Sequence, residues 1–153
     1  MLKVLARPAV AAGAAALLAA SVSAPAQAAT GSWSDSRLHY TIYSDGGYSE
    51  TYLSRPSSTP FGGSISEVTF TARPYSNGNY LDEAKICYQQ PYSTSPFKCR
   101  DFNITGTAVS ETTDFFNGLD PRGNFFISHK LHGGTYPTYG ETNHDSITVK
   151  YAY

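Results

Sequence analysis

Apolar residues in this chain recur at every second position in short runs, and Gly, Pro, Asn and Ser cut the runs apart. Successive side chains of a strand point to opposite faces, so this period builds half-buried strands; no window carries a sustained helical stripe. Leu38 to Tyr43 alternates, Ser44-Asp45-Gly46-Gly47 supplies the positive φ angles of a tight turn, and Tyr48 to Leu53 runs back, which predicts a hairpin. A Pro/Ser-rich link, Arg55 to Pro60, leads to a strand in which Ile65 and Glu67 fall on one side and Val68, Phe70 and Ala72 on the other. Ala84, Ile86 and Tyr88 share a face of the next strand; Gln90 to Pro96 is a loop, and Phe97 to Phe102 returns. Asn103 to Val109 extends this strand after a bend, and Ser110 to Asn117 is the one stretch suited to a helical turn. Asp120-Pro121-Arg122-Gly123 fits a type I turn, and strands Asn124 to His129 and Ile147 to Tyr151 follow. The expected fold is all-β: a single antiparallel β-sandwich, or a partly open barrel, of about seven to eight strands.

The N-terminus carries Lys3 and Arg7, a short alanine-rich apolar run from Ala9 to Ala20, and the small-x-small exit Ala26-Gln27-Ala28. That order predicts a secretory signal peptide over residues 1–28, since the run is too short and alanine-rich for a bilayer span. Residues 29–153 are then expected to form one secreted, extracellular domain. Without Lys3 and Arg7 it keeps nine basic residues against twelve acidic ones, a formal charge of −3 with both signs scattered. Nucleic acid asks for a basic face and a membrane surface for a polybasic or amphipathic segment; neither is present, so neither partner is expected. Cys87 and Cys99 are the only cysteines. Export places them in an oxidising compartment, where a lone pair closes on itself as a hairpin staple.

No stretch matches a catalytic signature. There is no Gly-x-Ser-x-Gly elbow, and Glu50, Glu67, Glu111 and Glu141 carry nothing that pairs any two of them for glycoside cleavage. His129 and His132 lie three apart on a strand and point to opposite faces, a poor metal clamp; His144-Asp145 adds no zinc spacing. The expectation is a non-enzymatic protein with no metal and no cofactor, its histidines hydrogen-bonded at the surface.

More informative are the tyrosines, 12 in all, many of them in loops otherwise built from Ser, Gly, Asn, Thr and Pro. Tyr75 and Tyr80 bracket Ser76-Asn77-Gly78-Asn79, Tyr92 sits in the Pro91 to Ser95 loop, and Tyr136 and Tyr139 lie in Gly133 to Gly140. Tyrosine offers a rigid apolar ring with a polar tip, and small polar neighbours adapt around it, the composition of binding loops. Tyr75, Tyr80, Tyr92, Tyr136 and Tyr139 are therefore the candidate binding residues, with Gly133 to Gly140 as centre; the bland reading is that such rings cap the ends of a sandwich. Trp33 suits either a buried anchor or an exposed contact.

The alanine-rich signal, the Cys87/Cys99 hairpin, the Phe126-Ile127-Ser128-His129 strand running into Gly133-Gly134-Thr135-Tyr136-Pro137, and the terminal Asp145 to Val149 strand resemble small secreted actinobacterial β-sandwich proteins. Among these the chain is similar in size and organisation to the adaptor subunits of umbrella toxin particles. The resemblance implies an adaptor joining a large toxin-bearing protein to a lectin subunit, and no active site. The leading expectation is a secreted protein–protein interaction module whose partner is another secreted protein. Alternatives are a carbohydrate- or cell-wall-binding module, with tyrosines stacked on sugar rings, and a proteinaceous inhibitor of a secreted hydrolase, inserting a loop such as Arg55 to Phe61.

Overall fold

A computed structural model describes residues 28–140 and 143–153; the signal-peptide expectation falls on residues 1–28, of which all but Ala28 lie outside the described residues. Eight strands follow one another: β1 (Thr30–Leu38), β2 (Tyr48–Leu53), β3 (Ser64–Ala72), β4 (Leu81–Gln89), β5 (Pro96–Ile104), β6 (Val109–Thr113), β7 (Asn124–His132) and β8 (His144–Ala152). They form two antiparallel sheets of four, ordered β1-β8-β3-β6 and β2-β7-β4-β5. The fold is the all-β sandwich that the alternating runs demand.

The alternation faces the two sheets inward. Trp33, Ile65, Val68, Phe70, Ala72, Ile147, Val149 and Tyr151 of one sheet meet Leu53, Ala84, Ile86, Tyr88, Ile104, Phe125 and Ile127 of the other. Phe116, fully buried in the β6–β7 connection, fills one end of this layer with its ring edge-on to Phe125. Burying one such large side chain stabilises the fold by roughly 1.5–3 kcal/mol, which makes this layer the dominant favourable term. Trp33 is one of its anchors, and its indole N–H donates to the Pro121 carbonyl at 3.0 Å.

Three local expectations are corrected. Leu38 to Leu53 is not a hairpin: β1 pairs with β8 and β2 with β7, so the two strands lie in different sheets. The turn itself is real, with Gly46 at φ +70° and Gly47 N–H bonded to the Ser44 carbonyl, but it serves a crossing loop. In β3 a bulge between Ile65 and Glu67 inserts Ser66 and resets the period, so Ile65 joins Val68, Phe70 and Ala72 on the buried face. Of the stretch Ser110 to Asn117, expected to suit a helical turn, Ser110 to Thr113 belongs to strand β6, whose register against Val68 to Ala72 satisfies its backbone groups, and only Asp114 to Asn117 turns, with Asn117 N–H on the Asp114 carbonyl at 2.9 Å.

Every connection but one crosses between the sheets. The exception is the β4–β5 hairpin, where Cys87 and Cys99 face each other and form a disulfide. Loops 39–47, 73–80, 105–108 and 133–140 gather at one end of the sandwich, called here the first end. Loops 54–63, 90–95 and 114–123 lie at the opposite end with the C-terminus.

Cys87 is buried while Cys99 is exposed, so the bridge lies on the outer face of its sheet and staples a hairpin already held by its ladder. Intact mass should show two hydrogens fewer than the reduced form. The double change Cys87→Ser, Cys99→Ser should lower stability by about 2–4 kcal/mol in denaturant titration and leave the β spectrum unchanged.

Candidate functional site

The periods that build the core also carry titratable groups into it. In β4, Asp82 precedes Ala84, Ile86 and Tyr88 on the inward phase; in β7, His129 sits between Ile127 and Leu131; in β8, Asp145 precedes Ile147 and Val149. His39, just past β1, turns in beside them. All four side chains are fully buried, at the first end of the core.

They form one chain of short hydrogen bonds across the sandwich. Asp82 Oδ2 lies 2.8 Å from His129 Nδ1, and His129 Nε2 lies 2.9 Å from Asp145 Oδ2. Asp145 Oδ1 then accepts from His39 Nε2 at 2.7 Å and from the Arg73 backbone N–H at 3.0 Å. Ionised carboxylates only accept, so both ring nitrogens of His129 donate and its ring is an imidazolium. Burial alone pulls the His129 pKa down, but its bonds to Asp145 and Asp82, with their charges, outweigh this and raise it to about 9. Burial likewise pushes Asp145 up, and the bonds to His129 and His39 outweigh it, bringing its carboxyl to about 2. His39 Nδ1 and Asp82 Oδ1, both buried, have no partner among the described residues.

Tyr75 closes this floor. Its ring packs against His39 and His129 at centroid distances of 4.7 and 5.5 Å. Its hydroxyl donates to the Tyr40 carbonyl at 2.5 Å and lies 2.8 Å from Ser49 Oγ. Above it, Ile42, Leu131 and the half-buried Tyr136 make a small second core with the Tyr75 ring.

The first-end loops are bonded to one another as well as to this floor. Ile42 and Thr138 exchange two backbone bonds at 3.0 and 2.8 Å, Thr135 N–H bonds the Asn77 carbonyl, and Gly133 N–H bonds Asp45 Oδ1 at 2.7 Å. Gly140 permits the tightest approach: a Cβ there would lie 2.1 Å from the His39 Cβ, so only glycine lets the loop close over the buried cluster.

The sequence-predicted tyrosines separate accordingly. Tyr75 is buried, its hydroxyl spent inside the protein, and it presents no ring to a partner. Tyr136 is half-buried and donates to the Gly133 carbonyl at 2.8 Å. Tyr80 and Tyr139 are exposed at the first end, and Tyr92 is exposed at the opposite end. Sequence reasoning missed Tyr40, Tyr43 and Tyr48, which with Tyr80 and Tyr139 make five first-end rings, each between 60 % and 77 % exposed. It also missed Asp82 and His39 altogether and read His129 as a surface residue. The signal for Asp82, His129 and Asp145 was a charged or titratable residue on the apolar phase of three separate strands.

No family model matches the chain, and neither does any curated protein. Among solved structures it is similar to the crystal structure of FLHE, with a TM-score of 0.55, 19% sequence identity, and coverage of 81% of this chain and 98% of that one. At that identity the likeness is one of fold.

Removing one partner from a buried charged network leaves the others uncompensated, at a cost of roughly 3–5 kcal/mol. Asp145→Asn should therefore lower unfolding free energy by that amount, because an amide cannot accept three donors. The pH dependence follows from the shifts. The stability His129 contributes is complete below about pH 6.5 and is lost as pH rises through about 9. That from Asp145 is complete above about pH 4 and is lost as pH falls through about 2. In EDTA, denaturant titrations should show a plateau between about pH 4 and 6.5 with losses on both sides, and the alkaline loss should be absent from His129→Leu.

Proposed function

We propose that this chain is a non-enzymatic secreted protein–protein interaction module, an adaptor or scaffold subunit of an extracellular assembly, and that it binds through its first end. The observation that carries this reading is the set of five exposed tyrosines, Tyr40, Tyr43, Tyr48, Tyr80 and Tyr139, around loops bonded to one another above a buried charged floor. Rigid aromatic rings on loops ordered in advance lose little entropy on association, which favours tyrosine as an interface anchor. The His–Asp cluster supports a non-enzymatic role: its side chains have no solvent exposure, so a substrate cannot reach them.

An adaptor needs two contact surfaces. At the opposite end Phe61, Tyr92, Phe97 and Tyr153 are exposed, and the Arg122 guanidinium lies over the Phe61 ring at 4.3 Å. Two aromatic ends separated by a rigid sandwich suit a protein that joins two others. The resemblance to umbrella-particle adaptors supplies the kind of assembly.

Tagged protein recovered from culture supernatant at native concentration should bring down a secreted partner identifiable by mass spectrometry. Against that partner, Tyr43→Ala, Tyr80→Ala and Tyr139→Ala should include at least one change costing about 2 kcal/mol, near thirtyfold in Kd, with melting temperature unchanged. Tyr136→Ala should instead lower the melting temperature, since its hydroxyl and ring are used internally. Recovery of a free monomer alone would defeat the reading.

A further inference from the structure

The buried cluster has a second property, independent of the interaction reading. His39, His129 and Asp145 bring one ligand atom each to within 4.8 Å of one another, all three buried. Two imidazoles and a carboxylate are the donor set of zinc-class transition metals. They come from β7, from β8 and from the segment just past β1, so the core of the sandwich fixes their convergence.

Two more features point the same way. His129 Nδ1 is held by Asp82 Oδ2 at 2.8 Å, so its Nε2 faces Asp145 and His39. A carboxylate on the far nitrogen of a metal-ligating histidine fixes ring orientation and raises ligand basicity. The second feature is that the buried His39 Nδ1 has no hydrogen-bond partner among the described residues, so the ring can carry its proton there and turn the Nε2 lone pair toward an ion. A divalent cation bound at the two Nε2 atoms and Asp145 requires both rings neutral with their protons on the Nδ1 atoms, and any further ring proton leaves to solvent.

We propose that His39, His129 and Asp145 bind one divalent transition-metal ion of the zinc class, with Asp82 orienting His129 from behind. Such an ion would tie the two sheets together at the first end, a structural role. Because the cluster has no solvent exposure, the ion would enter while the chain folds or while loop 133–140 is open.

The test uses the full secreted chain, unfolded and refolded with Zn²⁺ or Co²⁺, or with EDTA, then desalted. One ion per chain should be retained by elemental analysis. The cobalt form should absorb in the visible, and X-ray absorption on the zinc form should show two imidazoles with an oxygen donor. Zinc at a hundredfold excess over its Kd should raise the melting temperature by on the order of 5–10 °C. His39→Ala should abolish retention, while His132→Ala, at the exposed Glu83 site, should keep it. No retained ion in the refolded wild type, or equal retention by His39→Ala, overturns the proposal. If His39→Ala does not fold, the wild-type absorption spectrum decides, and a site without imidazole overturns it. Failure of the metal site leaves the interaction reading to its own pull-down.

Discussion

The first end of this sandwich depends on one chain of hydrogen bonds, Asp82 to His129 to Asp145 to His39. In the rest of the core the sheets meet through apolar contact, which is strong but non-directional, and at one edge through the half-exposed Arg100–Glu111 ion pair between β5 and β6. At the first end they meet through bonds with fixed partners and angles: Asp82 and His129 belong to one sheet and Asp145 to the other. The chain also reaches the loops. Asp145 takes the Arg73 N–H at the start of the β3–β4 connection, His39 begins the β1–β2 connection, and Tyr75 joins both through the Tyr40 carbonyl.

Such a network is a poor way to gain raw stability. A set of apolar side chains of the same volume would serve the sandwich as well or better, since each buried ion loses its hydration. What the ions add is register. A slip of one residue in β4 or β8 would carry Asp82 or Asp145 to the solvent face and strand the His129 imidazolium without an acceptor. The two sheets are thereby locked against each other at the end that carries the tyrosine loops, while the Trp33 and Phe116 contacts do the equivalent work at the other end.

Most of the sandwich was legible from period two, because Val68, Phe70, Ile86, Ile127, Ile147 and Val149 each announce an inward phase. Two things were not. Pairing between strands distant in sequence leaves little local trace, so the good turn at Asp45-Gly46 looked like a hairpin although its strands belong to different sheets. A bulge is also silent until the partner strand is known: Ser66 looked like one more alternating residue, and Ile65 seemed to face the wrong way. The buried network was half legible. Asp145 was noticed only as a neighbour of His144, yet its place two residues before Ile147 puts it inside by the same rule that buries Ile147 and Val149.

The tyrosines show the limit of composition in the same physical terms. Tyr75 and Tyr80 bracket one Ser/Asn/Gly stretch and looked alike, but Tyr75 points down onto His39 and His129 while Tyr80 packs over Gly133 and stays in solvent. What separates them is the floor beneath. A buried polar cluster needs a lid that excludes water, and the Tyr75 ring supplies it while its own hydroxyl is satisfied by Ser49 and the Tyr40 carbonyl. Once Tyr75 is committed to that task, its loop is anchored at one end, and Tyr80 at the other end is held in place without being buried. The same holds for loop 133–140, where the half-buried Tyr136 anchors and Tyr139 projects. In each loop one tyrosine orders the backbone and its neighbour stands exposed on a segment with little left to lose in entropy. The placement of Tyr80 and Tyr139 thus follows in part from the buried cluster, on which their loops close through the Tyr75 ring and through Gly140 against His39.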